Sequence, residues 1–430
     1  MSLAFILVLA SLGSTVRAQE ASGAPESSAD PGSTAPLAPL PEGFTPRMQR
    51  QVAQVVDVVP AIRGLPAADD VAYRLIDQDA FIEELEAIFQ EEYSPEYVAA
   101  EDAAFTRLGL LAAEDELGQL ILDLYDSQVL AYYDPRSQTF SLVGPTDRIG
   151  DLESVVVAHE YAHALQDATW DLEAGRIKEL DRSDAILAQQ ALVEGDATAV
   201  MYDWAARELS LLDLLGVSGE ALTRQDERIL RRIPPLLRRQ LEFPYLEGFS
   251  FVTSLRGRGD WPAVDEAWTA QPVSTEQILH PELYPEELPV DVTLPGIVER
   301  LGPGWTNTYE QTLGEMQTGV WVADGRRARP LFPGLPAQLP RSEAAAGWGG
   351  DRLVSLDGPD GSWAVLWQTA WDSEEDAREF RDAARDAVED LAGAHAVRDA
   401  DLSGGLSFPV LVLVADGDET LAAVQEALAL

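Results

Sequence analysis

The sequence predicts an α+β protein: a mostly helical region carrying a small edge-stranded sheet, followed by a small C-terminal α+β domain. Three patterns predict it. Apolar residues recur at helical spacing in A-F-I-E-E-L-E-A-I-F-Q-E-E-Y, from Ala80, and in L-G-Q-L-I-L-D-L-Y, from Leu117. Gln128–Tyr133 and Thr139–Val143 flank the turn residues D-P-R-S-Q, which is a hairpin signal. Beyond Arg341, W-A-V-L-W-Q-T-A-W, a charged amphipathic stretch, F-P-V-L-V-L-V-A and D-E-T-L-A-A-V-Q-E-A-L alternate strand, helix, strand, helix. A chain of 430 residues with 46% apolar content has room for two or three domains with real cores.

Residues 1–18 give about ten apolar residues and then small residues and V-R-A, the shape of a secretory signal peptide cleaved after Ala18, although the usual basic start is missing. The expected location is therefore outside the cell, in the periplasm or at the cell envelope. Residues 19–46 are rich in Pro, Ser, Ala and Gly with little to bury, and read as a disordered linker. Residues 47–127 read as a helical N-terminal lobe, with Ser94 capping a helix that has Pro95 in its first turn. No later apolar run is long enough to span a membrane. The net charge of −44 argues against nucleic acid or an anionic lipid surface as partner, since both would repel the chain. There is no cysteine, hence neither a disulfide framework nor a thiolate metal site.

Residues 128–290 carry the chemistry. In V-V-V-A-H-E-Y-A-H-A-L-Q-D, from Val155, His159 and His163 are four apart inside a run apolar enough for one buried helix. Side chains at that spacing lie one above the other, so both imidazoles can reach a single ion. Glu160 points about 100° around the helix from His159, a direction that suits acting on a water rather than ligating the metal. The third ligand is expected to be Glu194, within a helix from Ser183 to Leu209 that is apolar on most of its circumference and has Ser183 placed to cap its start. A carboxylate among Leu192, Val193, Ala197 and Val200 is costly to bury unless a cation neutralises it. Gly195 weakens a helix interior, which makes sense if two helices approach closely there and bring Glu194 to the histidine pair.

His159, Glu160, His163 and Glu194 together resemble the gluzincin-type zinc metallopeptidases, the thermolysin-like branch of the zincins. More narrowly, H-E-Y-A-H-A-L-Q-D, E-G-D-A and S-T-E-Q-I-L-H-P are similar to a group of secreted bacterial H-E-x-x-H proteins, over about Val52 to Leu288. The resemblance implies a zincin-like catalytic domain, a Zn2+ cofactor held by His159, His163 and Glu194, Glu160 as general base, and a peptide or protein substrate laid along the edge strand before the metal helix. One departure stands out: the acidic residue expected four positions after the glutamate ligand is Thr198 here. Asp196 faces away from Glu194, which leaves Asp167, four after His163, as an alternative orienter.

Three protein ligands would leave a position for water, which zinc acidifies, and Glu160 would carry its proton. The expectation is thus a secreted zinc peptidase. Its competitors are a non-catalytic, zinc-stabilised envelope or binding protein and a hydrolase of non-peptide amides or esters. His280 ends a short helix begun by a capping box at Ser274 and Gln277. It is open to three roles: oxyanion donor, fourth zinc ligand, or partner of the last helix carbonyls. Arg231, Arg232, Arg238 and Arg239 cluster in an acidic chain and are expected to form ion pairs. Residues 291–340 read as a connecting segment and 341–430 as the C-terminal domain, with His395 in a surface loop. Oligomeric state is not legible.

Overall fold

The computed structural model describes residues 2–3, 43–144, 148–214, 216–217, 233–323 and 342–430. The expected cleavage site at Ala18 and most of the linker lie outside the described residues, as do Arg231 and Arg232. In chain order the elements are β1 (Ser2–Leu3), α1 (Pro46–Val56), α2 (Val59–Arg63), β2 (Ala72–Ile76), α3 (Gln78–Glu92), α4 (Pro95–Arg107), α5 (Leu117–Gln128), β3 (Ala131–Asp134), β4 (Thr139–Val143), α6 (Asp151–Trp170) and α7 (Ser183–Glu208). They continue as α8 (Pro235–Gly259), α9 (Trp261–Thr269), α10 (Thr275–Leu279), α11 (Ile297–Leu301), β5 (Thr306–Gln311), α12 (Gly314–Val322), β6 (Trp348–Asp357), β7 (Trp363–Trp371), α13 (Glu374–Val388), β8 (Ala394–Arg398), β9 (Val410–Ala415) and α14 (Asp418–Leu428). The α+β class holds.

The chain divides into two compact units, each assembled from separate stretches. The first comprises Met1–Glu83, Tyr125–Ala174 and Ala197–Asp226. Its sheet runs β1-β3-β4-β2, with β3 and β4 antiparallel across the expected turn. β2 pairs in parallel with β4, which corrects the wholly helical reading of residues 47–127. The strand was hidden because its centre is Arg74, whose guanidinium donates to Ser141 Oγ (2.8 Å) and Tyr132 Oη (2.7 Å). α6 lies against α1, α2 and β3 and is buried at every position from Val155 to Asp167, so it is apolar all round rather than amphipathic. Its start is fixed by the Gly150 N–H donating to Glu153 Oε2 (2.9 Å), with Asp151 and Glu153 placed where the helix dipole favours anions.

The second unit comprises Glu84–Leu124, Gly175–Asp196 and Glu227–Leu430. Ser94 accepts from the Tyr97 N–H, with Pro95 opening α4, as read from sequence. Ser183 does something else: its hydroxyl lies 2.7 Å from Thr312 O and 2.9 Å from Gln311 Oε1, both acceptors, and so donates outward from α7. The antiparallel sheet runs β5-β6-β7-β9-β8 and takes in Thr306–Gln311, upstream of the Arg341 start expected. One sheet face packs Leu356, Leu366 and Leu413 with Val424 and Leu428 of α14. On the other, Trp367 meets Trp321 and Phe380 edge-on. His395 lies in β8 opposite Val414, not in a loop, because its flanking alanines hide the alternation. Arg238 and Arg239 pair with Glu242 (2.8 Å) and Glu247 (2.6 Å), as expected.

This unit also buries carboxyl groups. Asp184 accepts from the Thr275 N–H (3.1 Å), and burial pushes it up to about 8. Glu276 is raised to about 9 by burial and by Glu315, Asp372, Glu287 and Asp184 around it; Glu101, buried and bonded to Tyr309, rises to about 7. A raised carboxyl pKa means that between about pH 4 and the folded value the unfolded chain has lost a proton that the folded chain keeps. Stability from such a group therefore falls as pH rises through that window, by up to about 1.4 kcal/mol per pH unit per proton. Asp184→Asn keeps an oxygen for Thr275 but cannot ionise. Its urea midpoint is expected to gain on the wild type steadily from pH 5 to pH 8; parallel curves would show that Asp184 does not titrate there.

Candidate metal centre

α6 carries His159 and His163 one turn apart, their rings edge-to-face at 84° with centroids 4.7 Å apart. Their Nε2 atoms are 3.1 Å from one another. His163 Nδ1 lies 2.8 Å from Gln166 Oε1; with that carbonyl accepting, Nδ1 carries the proton and Nε2 presents its lone pair towards His159. The imidazole's partner is thus a neutral amide three residues on, not Asp167 as the sequence suggested. α7 supplies Glu194, itself buried, and the ligand atoms of His159, His163 and Glu194 all lie within 4.8 Å of one another. Two imidazole nitrogens and a carboxylate gathered in the interior form a group that could hold a metal ion, and among the described residues no other His, Cys, Asp or Glu group does so. A cation also answers the electrostatic question the site raises, since a buried carboxylate is costly without one.

Glu160 is fully buried, and its Oε2 accepts from the backbone N–H of Tyr133 in β3 at 2.8 Å. Asp167 faces the same residue, accepting from the Tyr133 phenol (2.9 Å) and from the Leu172 N–H (3.0 Å). Burial raises the Asp167 pKa while those two bonds pull it back, and burial also raises the Tyr133 phenol, which stays a proton donor. Asp196 accepts from Trp268 Nε1 at 2.8 Å. Thr198 is fully buried, and its hydroxyl finds no hydrogen-bond partner among the described residues.

Gly195 does mark a close approach, but with a different helix from the one expected. A Cβ built on it would stand 2.2 Å from the backbone of Gly248 in α8, and one built on Gly248 would stand 2.1 Å from Ala191 O. The glycine pair sets the crossing of α7 and α8.

His280 is not a member of the ligand group. It follows α10, whose start is held by the Gln277 N–H donating to Ser274 Oγ (3.3 Å), and its Nε2 lies 3.0 Å from Glu315 Oε1. The sequence missed Gln166 and Tyr133. A glutamine three residues after His163 was a readable signal for the first; nothing local marked the second.

Residues 299–427 match the family model of a domain of unknown function (DUF8575). That stretch covers β5 to most of α14 and holds none of His159, Glu160, His163 or Glu194. No curated protein and no solved structure matches the chain.

Proposed function

We propose that the protein is a secreted zinc-dependent peptidase, with His159, His163 and Glu194 as metal ligands and Glu160 as general base. The observation that carries the reading is the buried convergence of these three donors, with Glu160, also buried and not one of them, next in the chain to His159. Ligand nitrogens of a tetrahedral zinc, at 2.0–2.1 Å from the metal, are about 3.3 Å apart, and the two Nε2 atoms, 3.1 Å apart, are close to that spacing. Zinc bound there supplies Lewis acidity, lowering the pKa of water and polarising a carbonyl.

The chain's own groups do the rest. Glu160, held through Oε2, takes a proton from the attacking water as the new C–O bond forms, and returns it to the amine nitrogen as the C–N bond breaks. The outer side of β3, where Ser2–Leu3 pair in antiparallel sense, offers an extended peptide its outward backbone groups other than the Tyr133 N–H, which Glu160 takes. Removal of the signal, expected after Ala18, frees that edge. A purely structural zinc site needs a fourth protein ligand and has no use for Glu160. His280, the sequence candidate for that ligand, stands against Glu315 instead.

The purified protein is expected to bind one equivalent of zinc and to cleave members of a mixed peptide library, losing cleavage to a chelator and regaining it with zinc. Zinc binding without cleavage of any peptide would favour the structural class, or a hydrolase of other amides and esters. Failure to take up metal would remove both readings.

A further inference from the structure

Tyr133 is joined to α6 through both its backbone and its side chain. Its N–H donates to Glu160 Oε2 (2.8 Å) and its phenol to Asp167 Oδ2 (2.9 Å). Glu160 and Asp167 are seven apart, two turns along one face of the helix. Strand alternation then says where Tyr133 points. The Val143 N–H donates to Leu130 O (2.8 Å), so the backbone of Leu130 faces β4, as does that of Tyr132, while Ala131 and Tyr133 face outwards. The pairing of Ser2 with Tyr133 lies on that outward side. An N–H on that side is ordinarily left for the neighbouring strand. Here Glu160 takes it.

We propose that Tyr133 is the positioning residue of the general base, and that Asp167 acts on Glu160 only through Tyr133. This rests on the peptidase reading for its consequence in turnover, but the clamp itself is a property of the chain. The bond holds Oε2 on the amide and so restricts rotation of the Glu160 carboxylate about its last side-chain bond. Asp167 accepts from the Leu172 N–H with its other oxygen, so the anchor is itself fixed just past the end of α6. The last residues of H-E-Y-A-H-A-L-Q-D thereby divide two tasks: Gln166 holds the His163 imidazole and Asp167 holds the strand residue that holds Glu160.

Tyr133→Phe deletes one oxygen and keeps the ring, and Asp167→Ala deletes the acceptor. Each is expected to lower kcat about tenfold, the scale of one buried hydrogen bond, with KM within about twofold and zinc content unchanged. The double variant should be no slower than either single one, because both cut the same link. Hydrogen exchange gives a readout that needs neither metal nor substrate: the backbone amide of residue 133 should exchange about tenfold faster in either variant. Unchanged exchange, or additive losses in kcat, would overturn the clamp. Faster exchange in both variants of a protein whose wild type hydrolyses nothing would leave the clamp standing and sink the peptidase reading alone.

Discussion

Glu160→Gln is expected to lower peptide hydrolysis about a thousandfold or more while leaving the metal bound, because a positioned proton carrier contributes about 10²–10⁴ in rate. Glutamine has nearly the shape of glutamate, and its carbonyl oxygen can still accept from the Tyr133 N–H, so the link to β3 survives. The amide cannot take a proton at any working pH. The three donor groups are untouched, so zinc stoichiometry should match the wild type and KM should hardly move. Glu194→Ala gives the opposite pattern: activity and metal should fall together, since it removes a ligand and not the base. Turnover surviving in Glu160→Gln would take the base role from Glu160 and leave the metal site as the only part of the assignment standing.

The site was legible where its chemistry is local. His159, Glu160 and His163 sit on one helix, and helical spacing alone fixes which of them face together. Glu194 could be read because a carboxylate in an apolar helix needs a reason, and a cation is one. Where contacts are made across the fold, local pattern had little to offer. Asp167 has the right spacing to orient His163, yet it turns to Tyr133, and Gln166 orients the imidazole instead. Gly195 announced a close crossing without naming Gly248. β2 and β5 were missed for a shared reason: Arg74 interrupts one, and the other, T-N-T-Y-E-Q, is half exposed with few apolar residues, so neither shows the continuous apolar run that marked β7 and β9.

Gly195→Ala is expected to destabilise the fold strongly. Two effects oppose each other. Alanine in a helix interior is favoured over glycine by about 1 kcal/mol, so on propensity alone the variant should be more stable. Against that, the added methyl would meet the backbone of Gly248 at 2.2 Å, and backbone cannot swing aside as a side chain does. α7 or α8 must shift, and overpacking typically costs about 1–3 kcal/mol, towards the upper end where, as here, no rotamer can relieve it. The clash decides the sign. Because Glu194 is the preceding residue, any movement of α7 also displaces a proposed metal ligand, so affinity for zinc, the proposed ion, should fall with the thermal midpoint. Gly257→Ala is the control: it lies in α8, is exposed, and nothing stands within 4 Å of the point its added methyl would occupy, so it should hold or slightly raise stability. Thermal unfolding of both variants, with and without zinc, separates the two effects. A Gly195→Ala protein as stable as the Gly257→Ala one would mean that α7 and α8 are not in backbone contact at this crossing.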